Sequence, residues 1–223
     1  QDAAPAMLVC DSGRSEALQA LSDGVGTALC TLDSDGAGTL MQGSQQCSVR
    51  FDTAATKAAD LAALVYSSGT TGRAKGIMLS HGNLVANISM LVDYWGFDRD
   101  DCLLHALPIF HVHGLFVAIG CVLMSGGSLS WLQRFDTATV MQSLTCSTVM
   151  MGVPTYYTRL LAEPDFNAQQ CAFTRLFISG SAPLLADTFA KFEQRTGHRI
   201  LERYGMTETG MNTSNPLYGE RRP

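Results

Sequence analysis

The segment Tyr66-Ser67-Ser68-Gly69-Thr70-Thr71-Gly72-Arg73-Ala74-Lys75-Gly76 carries more structural information than any other part of this sequence. It follows directly on the apolar run Leu61–Tyr66, which predicts a buried strand that enters a loop. Glycines let backbone N–H groups approach an anion closely, and the hydroxyl and cationic side chains add donors and charge. The segment therefore predicts a polyphosphate-binding loop, with the binding residues Ser67, Ser68, Gly69, Thr70, Thr71, Gly72 and Lys75.

This loop differs from the P-loop of nucleoside triphosphatases. Lys75 is followed by Gly76 and then by Ile77-Met78-Leu79, which predicts a short strand where a P-loop would open a helix. A flexible serine/glycine linker is the alternative interpretation. It is disfavoured, because a linker is seldom entered from a buried strand and rarely carries placed cations.

The composition indicates a globular domain and disfavours several classes of function. The chain has 223 residues, of which 46% are hydrophobic and 16% charged, so a sizeable core is expected. The net charge of −5 and the lack of a basic tract argue against nucleic acid as a partner. The longest apolar segment, Leu115–Met124, is too short to span a bilayer.

Two further features concern the compartment and the ends of the chain. The seven cysteines form no CxxC pair, which predicts reduced thiols and a cytoplasmic protein, with an organelle as the alternative. The chain begins Gln-Asp-Ala-Ala-Pro, without a signal peptide or an initiator Met, so we expect that its true N-terminus is missing.

Apolar runs and amphipathic segments of helical length alternate along the chain. The predicted strands are Met7–Cys10, Thr27–Thr31, Leu61–Tyr66, Leu103–Leu107, Ser128–Leu132, Thr148–Met151, Leu176–Ile178 and Arg199–Glu202. The predicted helices are Ser15–Leu21, a helix from the Ser80 cap to Tyr94, Val112–Met124, a helix from the Asp136 cap to Leu144, one that starts at Pro154, and Pro183–Arg195. Residues 34–49 are expected to form a surface loop.

This alternation predicts an α/β fold, with mostly parallel sheets covered by helices. Ligands bind such sheets at the carboxyl ends of the strands. The loops 67–76, 108–113, 179–183 and 203–208 each follow a predicted strand, so we expect them to share one site.

Four more segments accompany the phosphate loop in order along the chain: Leu107-Pro108-Ile109-Phe110-His111-Val112-His113-Gly114, Gly152-Val153-Pro154-Thr155, Ser179-Gly180-Ser181-Ala182-Pro183-Leu184 and Glu202-Arg203-Tyr204-Gly205-Met206-Thr207-Glu208-Thr209. Together the five resemble the adenylate-forming superfamily of acyl-CoA synthetases, luciferases and adenylation domains over residues 60–223. Within it, Asp60–Tyr66, Met211–Pro216 and Gly219–Pro223 most resemble malonyl-CoA synthetases. The resemblance implies a partial large N-terminal domain that binds nucleotide and acyl group. We expect residues 1–59 to be its poorly assigned start and the C-terminal lid domain to be absent from this sequence.

The resemblance also implies a reaction in two steps. A carboxylate attacks the α-phosphate of ATP to give acyl-AMP and pyrophosphate, and the thiol of coenzyme A then displaces AMP. Thr70, Thr71 and Lys75 would surround the β- and γ-phosphates and stabilise the departing pyrophosphate. Thr207 would bind the α-phosphate, and Glu208 would ligate Mg²⁺.

The remaining nucleotide contacts come from two of the segments. Tyr204 would stack on adenine, unless it is an ordinary core tyrosine. Small residues would form the adenine-side wall, and the rest of the later segment would contact the nucleotide as well. These residues are Gly180, Ser181, Ala182 and Pro183, followed by Glu202, Arg203, Gly205 and Met206.

The acyl site is assigned on the same grounds. The resemblance places His111 at the carboxylate entry and His113, with Met206, in the acyl pocket. The alternative for the histidines is one core and one exposed side chain. Arg159 would form a bidentate pair with the second carboxylate of malonate or methylmalonate, with help from Ser181. The alternative for Arg159 is a solvent-facing position on an amphipathic helix.

Two other functions stay open at this stage. One is an enzyme of the same superfamily for another carboxylic acid, and the other is a non-catalytic nucleotide-binding module. The ribose-binding Asp, the hinge and the lid lysine of the superfamily match no residue here, so this chain alone is expected to be poorly active.

Overall fold

The computed structural model describes residues 3–67 and 74–222, which divide into two compact units between Thr56 and Lys57. In the first unit, strands β1 (Met7–Cys10) and β2 (Ala28–Thr31) pair in parallel. A parallel pair needs a crossover, and helix α1 (Ser15–Val25) supplies it after one 3-10 turn.

A second helix, α2 (Thr39–Ser44), follows in the first unit, where the sequence analysis expected only a loop. That expectation was wrong at these residues. Thr31 and Thr39 exchange hydrogen bonds, because the hydroxyl of each accepts from the backbone N–H of the other, at 2.9 and 3.0 Å. This long-range contact fixes the start of the helix, and sequence periodicity does not reveal such a contact.

The second unit opens with an antiparallel hairpin of β3 (Leu61–Ser67) and β4 (Lys75–Ser80). Helix α3 (His81–Trp95) follows at once, and the structure confirms Ser80 as its cap. The Ser80 hydroxyl accepts from the Asn83 backbone N–H at 3.1 Å, and the Asn83 side chain accepts from the Ser80 backbone N–H. The helix ends at Gly96, whose φ of 60° is left-handed.

A six-stranded sheet occupies the middle of the second unit. Its strands are β5 (Cys102–His105), β6 (Ser128–Trp131), β7 (Val149–Gly152), β8 (Leu176–Ser179), β9 (Leu201–Met206) and β10 (Gly210–Ser214). Their order across the sheet is β10-β9-β8-β7-β5-β6, and all neighbouring pairs are parallel except β9–β10. The helical segments between them are a π-helix (His113–Ala118), α4 (Ile119–Ser125), α5 (Thr137–Leu144), α6 (Pro154–Ala162) and α7 (Ala186–Thr196).

Helices cover both faces of this sheet. Successive strand residues point to opposite faces, so Leu103 packs in one apolar cluster and Leu104 in the other. The first cluster receives Trp95 of α3, and the second receives Phe192 of α7; both side chains are fully buried. The predicted α/β class, a mostly parallel sheet covered by helices, is confirmed.

Three details of the sequence analysis were wrong. The strand that leads into residues 67–76 belongs to the separate β3–β4 hairpin, not to the parallel sheet. The last predicted strand continues to Met206, because residues 203–206 pair with β10, which had not been predicted. Helix α7 begins at Ala186 instead of Pro183, because the Glu202 carboxylate accepts from the Leu184 N–H at 2.7 Å and holds this segment extended.

A buried ion pair links the start of β5 to the start of β8. Arg175 donates from Nε and Nη2 to the two carboxylate oxygens of Asp101, at 2.8 and 2.5 Å, and Thr148 Oγ1 donates to Oδ1 at 2.7 Å. Burial opposes ionisation of Asp101, but these donors outweigh it and lower the pKa of Asp101. None of the helices in the described ranges is long and apolar enough to cross a membrane.

Candidate active site

A cavity of about 490 Å³ opens at the carboxyl ends of the parallel strands. Three of the four predicted loops meet there, namely those that follow β5 and β8 and the turn after β9. Its lining is Leu107, Pro108, His111, Val112, His113, Gly114, Val117, Val153, Tyr156, Ser181, Arg203, Gly205, Met206, Thr207, Gly210 and Met211. For these three loops, the expected shared site is present.

His113 reaches the cavity from the first residue of the π-helix. The following glycine makes this geometry possible, since a Cβ on Gly114 would lie 2.3 Å from the Pro108 carbonyl oxygen. His113 is buried, and its Nδ1 lies 3.2 Å from the Ser181 hydroxyl. Ser181 adopts a left-handed φ of 69°, an unfavourable conformation for serine that aims its hydroxyl at this ring.

The protonation state of His113 follows from its surroundings. Burial, and then the nearby charges of Arg203, His105 and His111, lower the pKa of His113 well below its usual value. The ring is therefore neutral near pH 7, with one donor nitrogen and one acceptor nitrogen. Its Nε2 is buried and has no hydrogen-bond partner in the described part of the chain, so it is available to a ligand.

Arg203 presents the most unusual polar group of the site. Its side chain is 5% exposed, and neither Nε nor Nη2 has a hydrogen-bond partner among the described residues. Burial lowers the pKa of Arg203 to about 10, so the guanidinium is still charged at neutral pH. A buried cation without a counter-ion is costly, and a bound anion removes that cost.

Gly180 makes room for this guanidinium. A Cβ on Gly180 would lie 2.4 Å from Arg203 Cζ and 2.5 Å from Nε. The sequence analysis attributed the small residue at 180 to a close approach of adenine. The structure instead shows the side-chain direction of Gly180 filled by Arg203.

Two further histidines, His105 and His111, differ in position. His111 is exposed and lies on the cavity wall, so both His111 and His113 belong to the same site. His105, which the sequence analysis did not select, is fully buried at the end of β5, with its ring 4.7 Å from that of Trp131. Burial lowers the pKa of His105 as well. The only sequence signal for His105 is a histidine that ends an apolar strand.

The hairpin between β9 and β10 carries the Thr-Glu pair. A Cβ on Gly205 would lie 2.4 Å from the Gly210 carbonyl oxygen, so this close approach of the two strands requires glycine. Thr207 is half-buried and lines the cavity, while Glu208 is exposed.

Glu208 is the residue that the sequence analysis assigned to Mg²⁺. Within the described ranges, no group of three or more His, Cys, Asp or Glu side chains is placed to hold a metal ion. One carboxylate beside a nucleotide nevertheless suits Mg²⁺, which usually takes one or two carboxylates together with substrate phosphates and water.

A second cavity of about 590 Å³ shares Ser181, Arg203 and Gly205 with the first. Seven of its lining residues were assigned to the nucleotide, namely Ser181, Ala182, Pro183, Glu202, Arg203, Tyr204 and Gly205, and the others are Thr213, Ser214, Asn215 and Arg222. Tyr204 is 55% exposed and is not a core tyrosine. Glu202 also has a structural role, through its bond to Leu184.

Several predicted site residues lie elsewhere. Arg159 is exposed on α6 with its guanidinium 4.7 Å from the ring centre of Phe135, and it does not line the cavity that contains His113. Ser67 and Lys75 are paired at the last residue of β3 and the first residue of β4, and they are outside that cavity too. The other predicted loop residues, Ser68, Gly69, Thr70, Thr71 and Gly72, lie outside the described residues.

Comparisons with known proteins identify the family and agree with the fold. The model of the AMP-binding enzyme family matches residues 1–223. The mitochondrial malonate–CoA ligase ACSF3 of Xenopus laevis is 33% identical over 247 residues, covering 100% of this chain and 41% of that protein. This chain thus spans about two fifths of the length of that relative.

Two solved structures are similar over nearly the whole chain. The crystal structure of ATP-bound MatB from Rhodopseudomonas palustris is 51% identical, with a TM-score of 0.97, and the match covers 100% of this chain and 44% of that one. A malonyl-CoA ligase in a ternary product complex with methylmalonyl-CoA and AMP is 36% identical. Its TM-score is 0.81, and the match covers 99% of this chain and 46% of that one.

Proposed function

Because this chain belongs to the AMP-binding enzyme family, we propose that the gene product containing it is an ATP-dependent acid–thiol ligase for a short dicarboxylate, malonate or methylmalonate. The observation that carries the proposal is the buried guanidinium of Arg203, which has two nitrogen atoms without hydrogen-bond partners in the described chain. Residues from Lys57 onward form the nucleotide- and acyl-binding part.

The charge of Arg203 separates a dicarboxylate from other acids. During activation one carboxylate reacts with ATP, and a malonate keeps the second one charged. Arg203 offers that carboxylate a planar, charged pair of donors inside the cavity. An acetate or a fatty acid would leave the guanidinium of Arg203 buried without a counter-ion. An apolar pocket would suit these acids better. The named functions of the relatives, malonate–CoA ligase and malonyl-CoA ligase, point to the same substrate.

Neutral groups complete this pocket. His113 Nε2 and the Ser181 hydroxyl line the same cavity as Arg203, and one of the two can donate a hydrogen bond to a carboxylate, depending on the tautomer of His113. If Ser181 donates to Nδ1 of His113, the ring carries its proton on Nε2 and donates from there. Arg159 remains the alternative cation for the substrate, although it lies outside the cavity.

The reaction follows from where these groups lie. Arg203 binds one carboxylate of the acid. The other carboxylate attacks the α-phosphate of ATP, and pyrophosphate leaves. Thr207 lines the cavity and donates to the α-phosphate, while the loop that ends at Lys75 holds the departing phosphates. Glu208 would hold Mg²⁺ together with phosphate oxygens, and the ion would neutralise the negative charge that develops there.

The second half of the reaction uses coenzyme A. Its thiol attacks the acyl-adenylate carbonyl and releases AMP. The second cavity, with Tyr204 exposed at its wall, is the proposed adenine site.

The cysteines bear on the compartment. All seven have free thiols, in keeping with a reducing compartment, either the cytoplasm or an organelle.

Pyrophosphate release tests the proposed function. The gene product is assayed with Mg-ATP and malonate, methylmalonate, acetate, octanoate or a mixture of amino acids. We expect release with the two dicarboxylates only. Pyrophosphate release with acetate or octanoate alone would support the family assignment but reject a dicarboxylate as the substrate. No release with any of the acids would favour a non-catalytic nucleotide-binding module.

A pair of variants then identifies the cation. Arg203→Gln is expected to raise the KM for malonate by about 10- to 100-fold, since a hydrogen bond to a charged group contributes about 1.5–3 kcal/mol. Arg159→Gln is the matched control on the competing arginine and should change this KM little. The reverse pattern would return the assignment to Arg159.

A further inference from the structure

Asn87 of α3 holds the first residues of β10 with both atoms of its side-chain amide. Its Oδ1 accepts from the Met211 N–H at 3.2 Å, and its Nδ2 donates to the Met211 carbonyl oxygen at 3.4 Å. The two contacts imitate one rung of a β-ladder. They also fix the orientation of the amide, because only this orientation matches a donor and an acceptor at both positions.

Gly210, which precedes Met211, lies close to the same Asn87 side chain. Gly210 has a left-handed φ of 67°, and a Cβ on it would lie 2.8 Å from Asn87 Oδ1. Gly210 pairs with Met206 across the hairpin, so the residues between them, Thr207 to Thr209, form its turn. Asn87 therefore grips the hairpin at the base of the turn that carries Thr207 and Glu208.

Helix α3 is a rigid support for this grip. Its N-terminus is fixed by the capping box at Ser80, and Leu91 and Trp95 are fully buried in the first apolar cluster. The indole Nε1 of Trp95 also donates to Ser214 Oγ at 2.9 Å, so α3 binds β10 near both ends of the strand. A support of this kind can hold a turn to within the small tolerance that a reacting site requires.

We propose that Asn87 is a positioning residue, which sets the place of Thr207 and Glu208 by holding Met211 to helix α3. The catalytic consequence rests on the proposed function, because it is the nucleotide that Thr207 and Glu208 would meet. The hydrogen bonds between Asn87 and Met211 do not depend on the proposed function. Helix α3 follows β4 directly, and β4 begins at Lys75, so one helix links the exit of the phosphate loop to this hairpin.

The chemistry of asparagine is specific for this task. A leucine has a similar volume but no polar atom, so Asn87→Leu leaves both backbone groups of Met211 without their partner. An alanine also removes the amide and adds no bulk next to Gly210, so Asn87→Ala separates loss of the hydrogen bonds from steric pressure. Ser89→Leu is the control, because Ser89 is an exposed residue on the same helix.

Hydrogen exchange of the gene product without ligands is the first test. The Met211 amide should exchange about fivefold faster in Asn87→Leu and Asn87→Ala than in the wild-type protein, as expected for the loss of a hydrogen bond of about 1 kcal/mol. Peptides from the body of α3 should keep their protection, and Ser89→Leu should match the wild type. Unchanged exchange at Met211 in both Asn87 variants overturns the inference.

ATP binding measured by calorimetry, with Mg²⁺ and with EDTA, is the second test. The affinity gained from Mg²⁺ should fall about tenfold in the Asn87 variants, because a shift of the turn displaces Glu208. If it stays at the wild-type value while exchange accelerates, Asn87 only stabilises the fold and its positioning role is rejected. A failure of the proposed function appears elsewhere, as a wild-type protein that releases no pyrophosphate with any acid.

Discussion

The guanidinium of Arg203 lies against the α-carbon of Gly180, in the space that a side chain at this position would need, with 2.4 Å between Cζ and the site of a Cβ. One residue is near the end of β8 and the other is on β9, so the contact crosses two neighbouring parallel strands. The buried cation and the small residue beside it are thus parts of one arrangement. The arrangement depends on the absence of a side chain at Gly180 as much as on the charge of Arg203.

Gly180→Ala is expected to displace Arg203 and to weaken the use of malonate. The methyl group would overlap the guanidinium, which must then move away from the cavity. We expect the KM for malonate to rise about 10- to 100-fold while the KM for ATP changes less. Steady-state kinetics measures both values. Gly24→Ala is the control, because nothing lies within 4 Å of a Cβ there; a variant at 180 with normal malonate kinetics would show that Arg203 does not act there.

Arg203→Met should uncouple activity from stability. Removal of a buried cation without a partner is expected to leave the free energy of unfolding unchanged or to raise it by about 1 kcal/mol. Malonate activation should fall sharply in the same protein. Urea unfolding and the pyrophosphate assay measure the two effects, and a clear loss of stability would indicate that Arg203 has a structural partner.

Arg175→Met should have the opposite effect on stability. Arg175 pairs with Asp101, whose side chain is 3% exposed. Among the described residues, the removal of Arg175 leaves this buried carboxylate with Thr148 as the sole side-chain donor. We expect the free energy of unfolding to fall by about 3 kcal/mol. The same urea experiment measures it, with Arg14→Met as a control on an exposed ion pair. Equal stability of the two variants would contradict the expectation that the buried Arg175–Asp101 pair contributes more to stability than the exposed Arg14–Asp11 pair.

Acidification should destabilise the protein through two histidines. Burial lowers the pKa of both His105 and His113, so the unfolded chain binds protons that the folded protein does not. The free energy of unfolding should therefore fall as the pH drops below about 6.5, by at most about 1.4 kcal/mol per pH unit for each histidine. Urea midpoints from pH 8 to pH 5 measure this slope.

A double variant isolates the two histidines. His105→Phe with His113→Asn should flatten most of this slope, although His198, whose pKa burial also lowers, would still contribute. A wild-type slope in the double variant would assign the effect to other groups.

Local patterns were sufficient for the fold class and for much of the site. Alternating apolar and amphipathic segments predicted the covered parallel sheet, and Ser80 was recognised as a cap because the cap and its helix are adjacent in sequence. The segments around His113, Ser181 and Thr207 were expected to meet, and they do, since parallel strands bring their carboxyl ends to one edge. The family match confirms the resemblance drawn from these segments.

Long-range geometry was beyond the sequence. Arg203 was assigned to the nucleotide, because nothing in its own segment shows that Gly180 gives it space or that none of the described carboxylates pairs with it. Arg159 was chosen for the acid on chemical grounds, but α6 places it on Phe135. Asn87 was missed for a similar reason: its partner Met211 is 124 positions away, and an asparagine in a helix carries no signal by itself.

The π-helix at His113 has a consequence for how this site can change by mutation. Each π turn accommodates one residue more than an α turn, and α4 continues from it into the apolar cluster through Cys121 and Val122. Deletion of one residue between 113 and 118 would restore an α-helical turn, and because the π turn completes its rotation with one residue more, His113 would keep nearly the same direction relative to α4. The turn beside His113 can thus change its length by one residue while Cys121 and Val122 stay in the apolar cluster.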